Sequence, residues 1–140
     1  MGRNIISISL TRAHWEKMRA EVDLHSPEEA CGILAGKRNE IHKVIPIKNK
    51  LHSPVRYLME PAEQLNAFQH MEQKDWELIG IYHSHPNGPD RPSLTDIDEA
   101  YYPEAIHFIW YKTDVEWQCK GYRIQNRLVT EVVLIILQPE

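Results

Sequence analysis

The order of hydrophobic and polar residues divides the chain into short strand-like and helix-like segments. Residues 5–10 alternate apolar with polar side chains, which predicts a half-buried strand. Thr11 is a residue type favoured just before a helix, and we expect that helix to run to about Leu24. Residues 31–35 are apolar and residues 41–47 alternate, which predicts two strands joined as a hairpin.

The next segment predicts an extended piece followed by a helix. Val55 to Met59 has the composition of a short extended stretch. Pro61 suits the first turn of a helix, because its fixed φ fits there and its missing N–H is not needed. Leu65, Phe68 and Met71 are expected to form the buried side of this helix.

The second half of the chain predicts four more strands and one short helix. Residues 78–82 form a strand that leads into His83, and a helix follows from about Ser93 or Thr95 to Tyr101. The remaining strands are predicted at residues 106–111, 117–124 and 128–137. This order indicates an α+β or mixed α/β fold, with a curved central sheet flanked by helices in one domain covering residues 1–140.

Composition and charge remove several classes of function. The net charge is −4 with a pI of about 6.1, so nothing favours nucleic acid or an anionic membrane as a partner. The longest apolar run, Val132 to Leu137, is too short to span a bilayer and predicts a buried strand, with a homodimer interface as the less favoured interpretation. Cys31 and Cys119 are expected to be reduced, and the protein is expected to be cytoplasmic.

The residues that carry chemistry lie between His83 and Asp96. His83 and His85 are two apart at the end of a strand, so both imidazoles point to one side. Ser93 and Asp96 are three apart at a helix start and share one face. Folding that face over the histidines would bring together two imidazoles and one carboxylate, a donor set that suits zinc and leaves a fourth position for water.

A zinc hydrolase also needs a general base, and the candidates are upstream. Glu28 and Glu29 precede the predicted buried strand that begins at Cys31. Strand alternation would send the two side chains to opposite faces, but spacing alone does not say which one faces the histidines.

These residues resemble the signature of the JAMM, or MPN-plus, metalloproteases. That signature is an upstream Glu, then His-X-His-Pro, six residues and Ser-X-X-Asp. Here it is matched by Glu29, His83-Ser84-His85-Pro86, residues 87–92 and Ser93-Leu94-Thr95-Asp96. The Cys-Gly pair that often follows the family glutamate is matched at residues 31–32, which selects Glu29. The chain is most similar to the compact, stand-alone prokaryotic type, and the resemblance implies an MPN sandwich related to the cytidine deaminase fold.

The resemblance also implies the role of each residue. His83, His85 and Asp96 would bind one zinc ion per chain. Glu29 would take a proton from the zinc-bound water and pass it to the leaving amine. Ser93 would donate a hydrogen bond to the oxyanion of the tetrahedral intermediate.

The family further implies the substrate, a peptide or isopeptide bond after the C-terminal Gly-Gly of a ubiquitin-like or sulfur-carrier protein. An extended Gly-Gly tail could add to a strand edge through backbone hydrogen bonds, since glycine needs no side-chain pocket. We expect that edge to be the segment Val55, Arg56, Tyr57, Leu58 and Met59.

Three alternatives stay open on the sequence alone. One is a catalytically inactive MPN scaffold that only binds partners, although such homologues have usually lost metal ligands that this chain keeps. Another is a cell-wall peptidase of the phage-tail type, which would be expected to carry a fused partner domain. The third is a relative linked to DNA repair, whose helical DNA-binding part has no counterpart in this acidic chain.

Overall fold

The fold is described from a computed structural model that covers residues 7–138. None of the helices in this range is both long and apolar enough to cross a bilayer. Seven strands and three helices follow one another in the order β1 (Ser7–Thr11), α1 (Arg12–His25), β2 (Cys31–Lys37), β3 (Glu40–Ile47), α2 (Pro61–Lys74), β4 (Glu77–His85), α3 (Leu94–Asp98), β5 (Ile106–Thr113), β6 (Glu116–Gln125) and β7 (Leu128–Leu137).

The strands form a single curved sheet in the order β1-β7-β6-β5-β4-β2-β3. The pairs β1/β7 and β4/β5 are parallel, and the other neighbours are antiparallel. The edge strands β1 and β3 approach each other, so the sheet is nearly closed on itself. This architecture confirms the predicted α+β fold with a curved central sheet flanked by helices.

Each face of the sheet has its own hydrophobic cluster. On one face, Met18 and Val22 of α1 pack with a large apolar set from the strands that includes Tyr82, Phe108 and Trp110. On the other face, a smaller cluster joins β2 and β4 to Ala67 and Met71 of α2. The smaller cluster lies on the face that carries the two histidines of β4.

Gly32 of β2 makes room for the ring of Tyr82, a residue of β4 that belongs to the larger cluster. A Cβ atom at this position would lie 2.2 Å from a ring carbon of Tyr82, which is much closer than atoms can approach. Tyr82 is fully buried and fills the space that the missing side chain leaves. Glycine at this position therefore has a packing reason.

Two helix predictions were wrong in detail. Leu65 was expected on the buried side of α2, but 56% of it is exposed. Six residues turn a helix by about 600°, which places Leu65 about 120° away from Met71, so both cannot face the sheet. The helix α3 ends at Asp98 rather than near Tyr101, with Glu99 as its C-terminal cap.

The prediction for the last strand was half right. Val132 is buried, and Leu134 and Ile136 pack against the larger cluster. The residues between and after them, Val133, Ile135 and Leu137, point the other way and are 60%, 43% and 49% exposed. Only one face of β7 is covered, so Val132–Leu137 is not a buried strand; the predicted homodimer stays a prediction. The predicted strand start at residues 5–6 lies outside the described residues.

Candidate metal and catalytic site

Strand β4 delivers two imidazoles to one point. Its end is buried between β2 and β5, and strand alternation directs His83 and His85 to the same face. Both side chains are buried, at 0% and 4% exposure. Their Nε2 atoms lie 3.0 Å apart.

The short helix α3 adds a carboxylate to the same point. Asp96 Oδ2 lies 3.2 Å from Nε2 of His83 and 3.1 Å from Nε2 of His85. Ser93 caps the helix and fixes this carboxylate: its backbone N–H donates to Asp96 Oδ2 at 2.8 Å, while its Oγ accepts from the Asp96 N–H at 3.0 Å. This reciprocal capping box holds Asp96 in one orientation.

Glu29 joins the group from the start of β2. Cys31 pairs with His83 in the sheet, so the residue two positions before Cys31 lies beside the histidines. Ser84 reinforces this placement, because its N–H donates to the Ala30 carbonyl at 3.0 Å and its Oγ accepts from the Ala30 N–H at 2.8 Å. A Glu29 oxygen and one nitrogen of each histidine all lie within 4.8 Å of one another.

The neighbouring glutamate points elsewhere. The side chain of Glu28 is 40% exposed, and its Oε1 lies 3.0 Å from Nδ1 of His52. Glu29, by contrast, is 4% exposed. Both glutamates precede β2, and the structure separates them: Glu29 lies on the side of the histidines and Glu28 at the surface.

The two imidazoles are oriented by different means. Nδ1 of His85 lies 2.8 Å from the Pro89 carbonyl, so Nδ1 carries a hydrogen and Nε2 is the nitrogen that would offer a lone pair to a metal. The ring of His83 instead stacks on Tyr57, with centroids 4.6 Å apart and planes 29° apart. Tyr57 thus forms a wall of the site.

This donor set fits a metal ion. Four ligands in a tetrahedron at about 2.0–2.1 Å from zinc lie about 3.3 Å from one another. The three separations among His83 Nε2, His85 Nε2 and Asp96 Oδ2 are 3.0, 3.1 and 3.2 Å, close to that value. Two imidazole nitrogens and a carboxylate oxygen with this spacing form a candidate metal site, with Glu29 at its margin.

The two carboxylates have opposite pKa shifts. Burial raises the pKa of Glu29 to about 8, with a smaller opposing effect from His85 and a further rise from Asp96. Burial acts in the same direction on Asp96, but the nearby His83 and the hydrogen bonds from both histidines and from Ser93 hold its pKa well below the usual range. In the metal-free protein Asp96 is therefore ionised and Glu29 is neutral at pH 7.

The two neighbouring histidines also differ. Burial lowers the pKa of His85, but the hydrogen bonds to Asp96 and to the Pro89 carbonyl outweigh it and raise the pKa overall. Burial lowers the pKa of His107 to about 4, helped by repulsion from His83. His107 is therefore a neutral imidazole next to the site.

A cavity of about 230 Å³ opens beside these residues. Ser93 and Asp96 line it where it meets the candidate metal site. Since Ser93 Oγ accepts from the helix N–H, its own hydrogen is available to donate into this space. The rest of the lining is largely apolar or aromatic and includes residues 55–59, Ile81, Tyr101, Tyr102 and His107.

The segment Val55–Met59 does line this cavity, but it is not a strand. Among the described residues, this segment takes part in a single isolated β-bridge, between Met59 and Asn49. Asn49 is 6% exposed and makes four hydrogen bonds: Nδ2 donates to the carbonyls of Glu29 and Arg56, and Oδ1 accepts from the N–H groups of Leu51 and Leu58. One side chain thus links the base candidate to the segment that faces it.

Sequence reasoning missed Asn49, and it gave His107 no place in the site. His107 is buried and also lines the cavity. Neither residue has motif spacing, so no local signal could have found them. An asparagine between two predicted elements is usually a turn residue.

Comparison with known proteins identifies the family. A sequence model described as prokaryotic homologs of the JAB domain matches residues 11–120. The chain belongs to this prokaryotic JAB-domain family. The match covers Glu29, both histidines of β4 and the Ser93–Asp96 helix start.

Curated relatives of this JAB-domain protein are named as a desampylase, a conjugate cleaving protease and a peptidase. A desampylase from Pyrococcus furiosus is 41% identical over 88% of this chain and 86% of its own length. A probable TtuB-protein conjugate cleaving protease from Thermus thermophilus is 36% identical over 81% and 75%. A CysO-cysteine peptidase from Mycobacterium tuberculosis is 39% identical over 75% and 74%.

Solved structures share the fold. The protein DSY2949 from Desulfitobacterium hafniense superposes with a TM-score of 0.84 at 34% identity, over 94% of each chain. A structure described as a metalloprotease-like zinc site of the JAMM type superposes with a TM-score of 0.59 at 19% identity, over 94% of this chain and 98% of the other. The second similarity concerns the fold alone.

Proposed function

We propose that this protein is a zinc-dependent isopeptidase that cleaves after the C-terminal Gly-Gly of a ubiquitin-like or sulfur-carrier protein. The observation that carries the proposal is the convergence of His83 Nε2, His85 Nε2 and Asp96 Oδ2, within 3.0–3.2 Å of one another, beside the buried Glu29. The relatives named as a desampylase, a conjugate-cleaving protease and a CysO-cysteine peptidase support the substrate class.

His83, His85 and Asp96 would hold the zinc ion. The set of two nitrogens and one oxygen is typical of catalytic zinc, which keeps a coordination position open. Zinc bound there would make a water acidic near neutral pH and would polarise the scissile carbonyl. The capping box at Ser93 and the Pro89 carbonyl orient two of the three ligands before any metal arrives.

Glu29 is the proposed general base and acid. It is the carboxylate at this point that no capping hydrogen bond holds, since the Ser93 cap engages Asp96. Its carboxylate oxygen would take a proton from the attacking water and deliver it to the leaving nitrogen. Burial raises the pKa of Glu29 to about 8, which makes this carboxyl a stronger base than an exposed one once ionised.

Ser93 is the proposed oxyanion donor. Its Oγ already accepts a hydrogen bond from the Asp96 N–H, so the hydroxyl hydrogen remains free and the oxygen is held in place. It lines the cavity at the edge nearest the candidate metal site. A donor of this kind stabilises the charge that develops on the carbonyl oxygen.

The segment 55–59 is the proposed binding site for the extended tail. Its Leu58 N–H and Arg56 carbonyl are occupied by Asn49, and the Leu58 carbonyl accepts from the Lys50 N–H. Among the described residues, the N–H and C=O of Tyr57 have no backbone partner, so this residue could pair with a glycine of the tail. Aromatic and apolar side chains around it would cover the tail from water.

The proposal is tested with one substrate and two variants. Zinc per chain is measured first, and then cleavage of a fusion with a Gly-Gly-tailed sulfur-carrier protein. We expect about one zinc per chain, with cleavage lost on chelation and reduced by about 10²–10⁴-fold in Glu29→Gln. The matched control is Glu28→Gln, which removes the exposed neighbouring charge and should leave the rate unchanged.

Each outcome tests a different part of the proposed function. Zinc without cleavage would keep the metal site and reject this substrate. No zinc even after reconstitution would reject the metal assignment and favour a scaffold that only binds partners.

For the tail-binding segment, Tyr57→Pro removes the backbone N–H, and Tyr57→Ala removes the ring alone. If cleavage by Tyr57→Pro matches that by Tyr57→Ala, backbone pairing at Tyr57 is wrong.

A further inference from the structure

The loop between β4 and α3 is anchored to β6 through Asp90. Nζ of Lys120 donates to Asp90 Oδ2 at 2.7 Å, and the hydroxyl of Tyr122 donates to the Asp90 carbonyl at 2.5 Å. Lys120 and Tyr122 are two apart on β6, so they share one face. Arg91 also contacts the Asp90 carboxylate, but it is a sequence neighbour and lies at the surface.

This loop has few hydrogen bonds of its own. Pro86, Pro89 and Pro92 have no N–H to donate. Among the described residues of this loop, one backbone–backbone hydrogen bond closes a turn, from the Gly88 N–H to the His85 carbonyl at 2.9 Å. Apart from the contact between the Pro89 carbonyl and His85 of β4, the contacts of Asp90 to β6 are therefore the main polar tie of this loop to the sheet.

The anchored residue lies next to the one that orients a ligand. The Pro89 carbonyl, one residue before Asp90, accepts the hydrogen of His85 Nδ1 at 2.8 Å. That hydrogen bond decides which imidazole nitrogen offers a lone pair to the site. Holding Asp90 in place therefore also holds the Pro89 carbonyl against His85.

We propose that Lys120 and Tyr122 are positioning residues for His85, acting through Asp90 and the Pro89 carbonyl. The inference rests on the metal site of the proposed function and adds a further layer to it. The hydrogen bonds of both side chains go to Asp90, and neither residue is among those that line the cavity. Their effect is on how strongly the site holds a metal and on the protection of one imidazole hydrogen.

The test measures zinc binding without any substrate. Zinc affinity is determined by competition with a chromophoric chelator for wild type, Tyr122→Phe and Lys120→Met. Removing a partner directly bonded to a ligand usually costs about 10–100-fold in metal affinity, so we expect about 3–10-fold for these more distant residues. The double variant should lose little more zinc affinity than the single variant with the larger loss, because both residues act through Asp90.

A second readout reports on His85 itself. In zinc-loaded wild type the Nδ1 proton of His85 should give a slowly exchanging NMR signal, because it is hydrogen-bonded and buried. In both variants this proton should exchange faster. The matched control is Lys112→Met: Lys112 lies over the ring of Trp117 at 5.5 Å, much as Lys120 lies over Tyr111 at 5.9 Å, but it does not contact the loop.

The outcomes separate this inference from the proposed function. If wild type binds zinc and both variants keep the affinity and the protected proton, the positioning role is overturned and the metal site stands. If wild type binds no zinc, both fall together. Should Lys120→Met fail to fold, Tyr122→Phe, which removes a single oxygen atom, decides the question alone.

Discussion

The two sides of the cavity are built differently. His83 and His85 stand on a strand that is hydrogen-bonded to neighbours on both sides, and Glu29 stands at the start of the adjacent strand. The facing segment 55–59 is irregular. Asn49 makes two side-chain hydrogen bonds to it, with the Arg56 carbonyl and the Leu58 N–H, and the Lys50 N–H donates to the Leu58 carbonyl. The difference teaches that the proposed chemistry rests on a hydrogen-bonded sheet, whereas the proposed substrate contacts rest on an irregular loop with few hydrogen bonds, two of them from the side chain of Asn49.

This difference predicts that substitutions among the proposed metal-binding and catalytic residues lower kcat, whereas substitutions in the segment 55–59 and at Asn49 raise KM. Ser93→Ala should lower kcat by about 10²–10³-fold, because the oxyanion donor is lost. Ser93→Thr keeps both the hydroxyl and the helix cap, so it should retain most of the rate. Steady-state kinetics with zinc content measured in parallel checks this. An equal loss in both variants would point to disturbance of the helix rather than loss of the donor.

Asn49→Leu should weaken the loop side. The substitution leaves two carbonyls and two N–H groups without their partner, so we expect the free energy of unfolding to fall by about 2–4 kcal/mol. Since residues 56 and 58 then lose the side chain that links them to the Glu29 carbonyl, KM should rise by more than kcat falls. Denaturant unfolding and kinetics measure the two effects, with Asn66→Leu on the exposed face of α2 as the matched control. A fall in kcat at constant KM would contradict the division between the two sides.

The pH dependence of stability tests the buried base. In the metal-free protein the pKa of Glu29 is raised to about 8 from its ordinary value of 4.5, so its contribution to stability is complete below pH 4.5. That contribution is lost as the pH rises through about 8, because the folded protein must then bury a charge. Glu29→Gln avoids this loss and should be more stable than wild type by about 1–3 kcal/mol at pH 9, and by little at pH 4.

Thermal and denaturant unfolding of metal-free wild type and Glu29→Gln at several pH values make this measurement. Glu28→Gln serves as the control, since the carboxylate of Glu28 is exposed and paired with His52 at the surface. A stability difference between wild type and Glu29→Gln that does not change with pH would contradict the burial argument.

The smallest expected effect concerns the apolar rim of the cavity. Val55 and Leu58 are 76% and 45% exposed and would be covered by a bound tail. Replacing either by Ser should raise KM by about 2–5-fold and leave kcat unchanged, because a small apolar contact is lost. Val115→Ser, at an 84% exposed position outside the cavity lining, should change nothing. Equal KM values for all three variants would exclude Val55 and Leu58 from the binding surface.

Prediction from sequence succeeded where short-range geometry decides. Strand alternation put His83 and His85 on one face, and the helix start put Ser93 and Asp96 on another, which is how the structure places them. Prediction failed at Leu65, because three-residue steps along a helix drift around its axis. It also failed along β7, where a run of apolar residues does not say whether one face or both are covered.

The sequence by itself determined the local devices of this protein: the strand that carries the histidines, the cap that holds Asp96 and the motif that separates Glu29 from Glu28. The first two depend on residues two or three positions apart, whose relation is set by backbone periodicity, and the third depends on the match of Cys31-Gly32 to the family signature. Tertiary structure alone decided that Asn49 ties Glu29 to the facing segment, that His107 lines the cavity and that Lys120 and Tyr122 anchor the Pro89–Asp90 loop. These contacts join residues far apart in the chain, and only the folding of the sheet brings them within reach of one another.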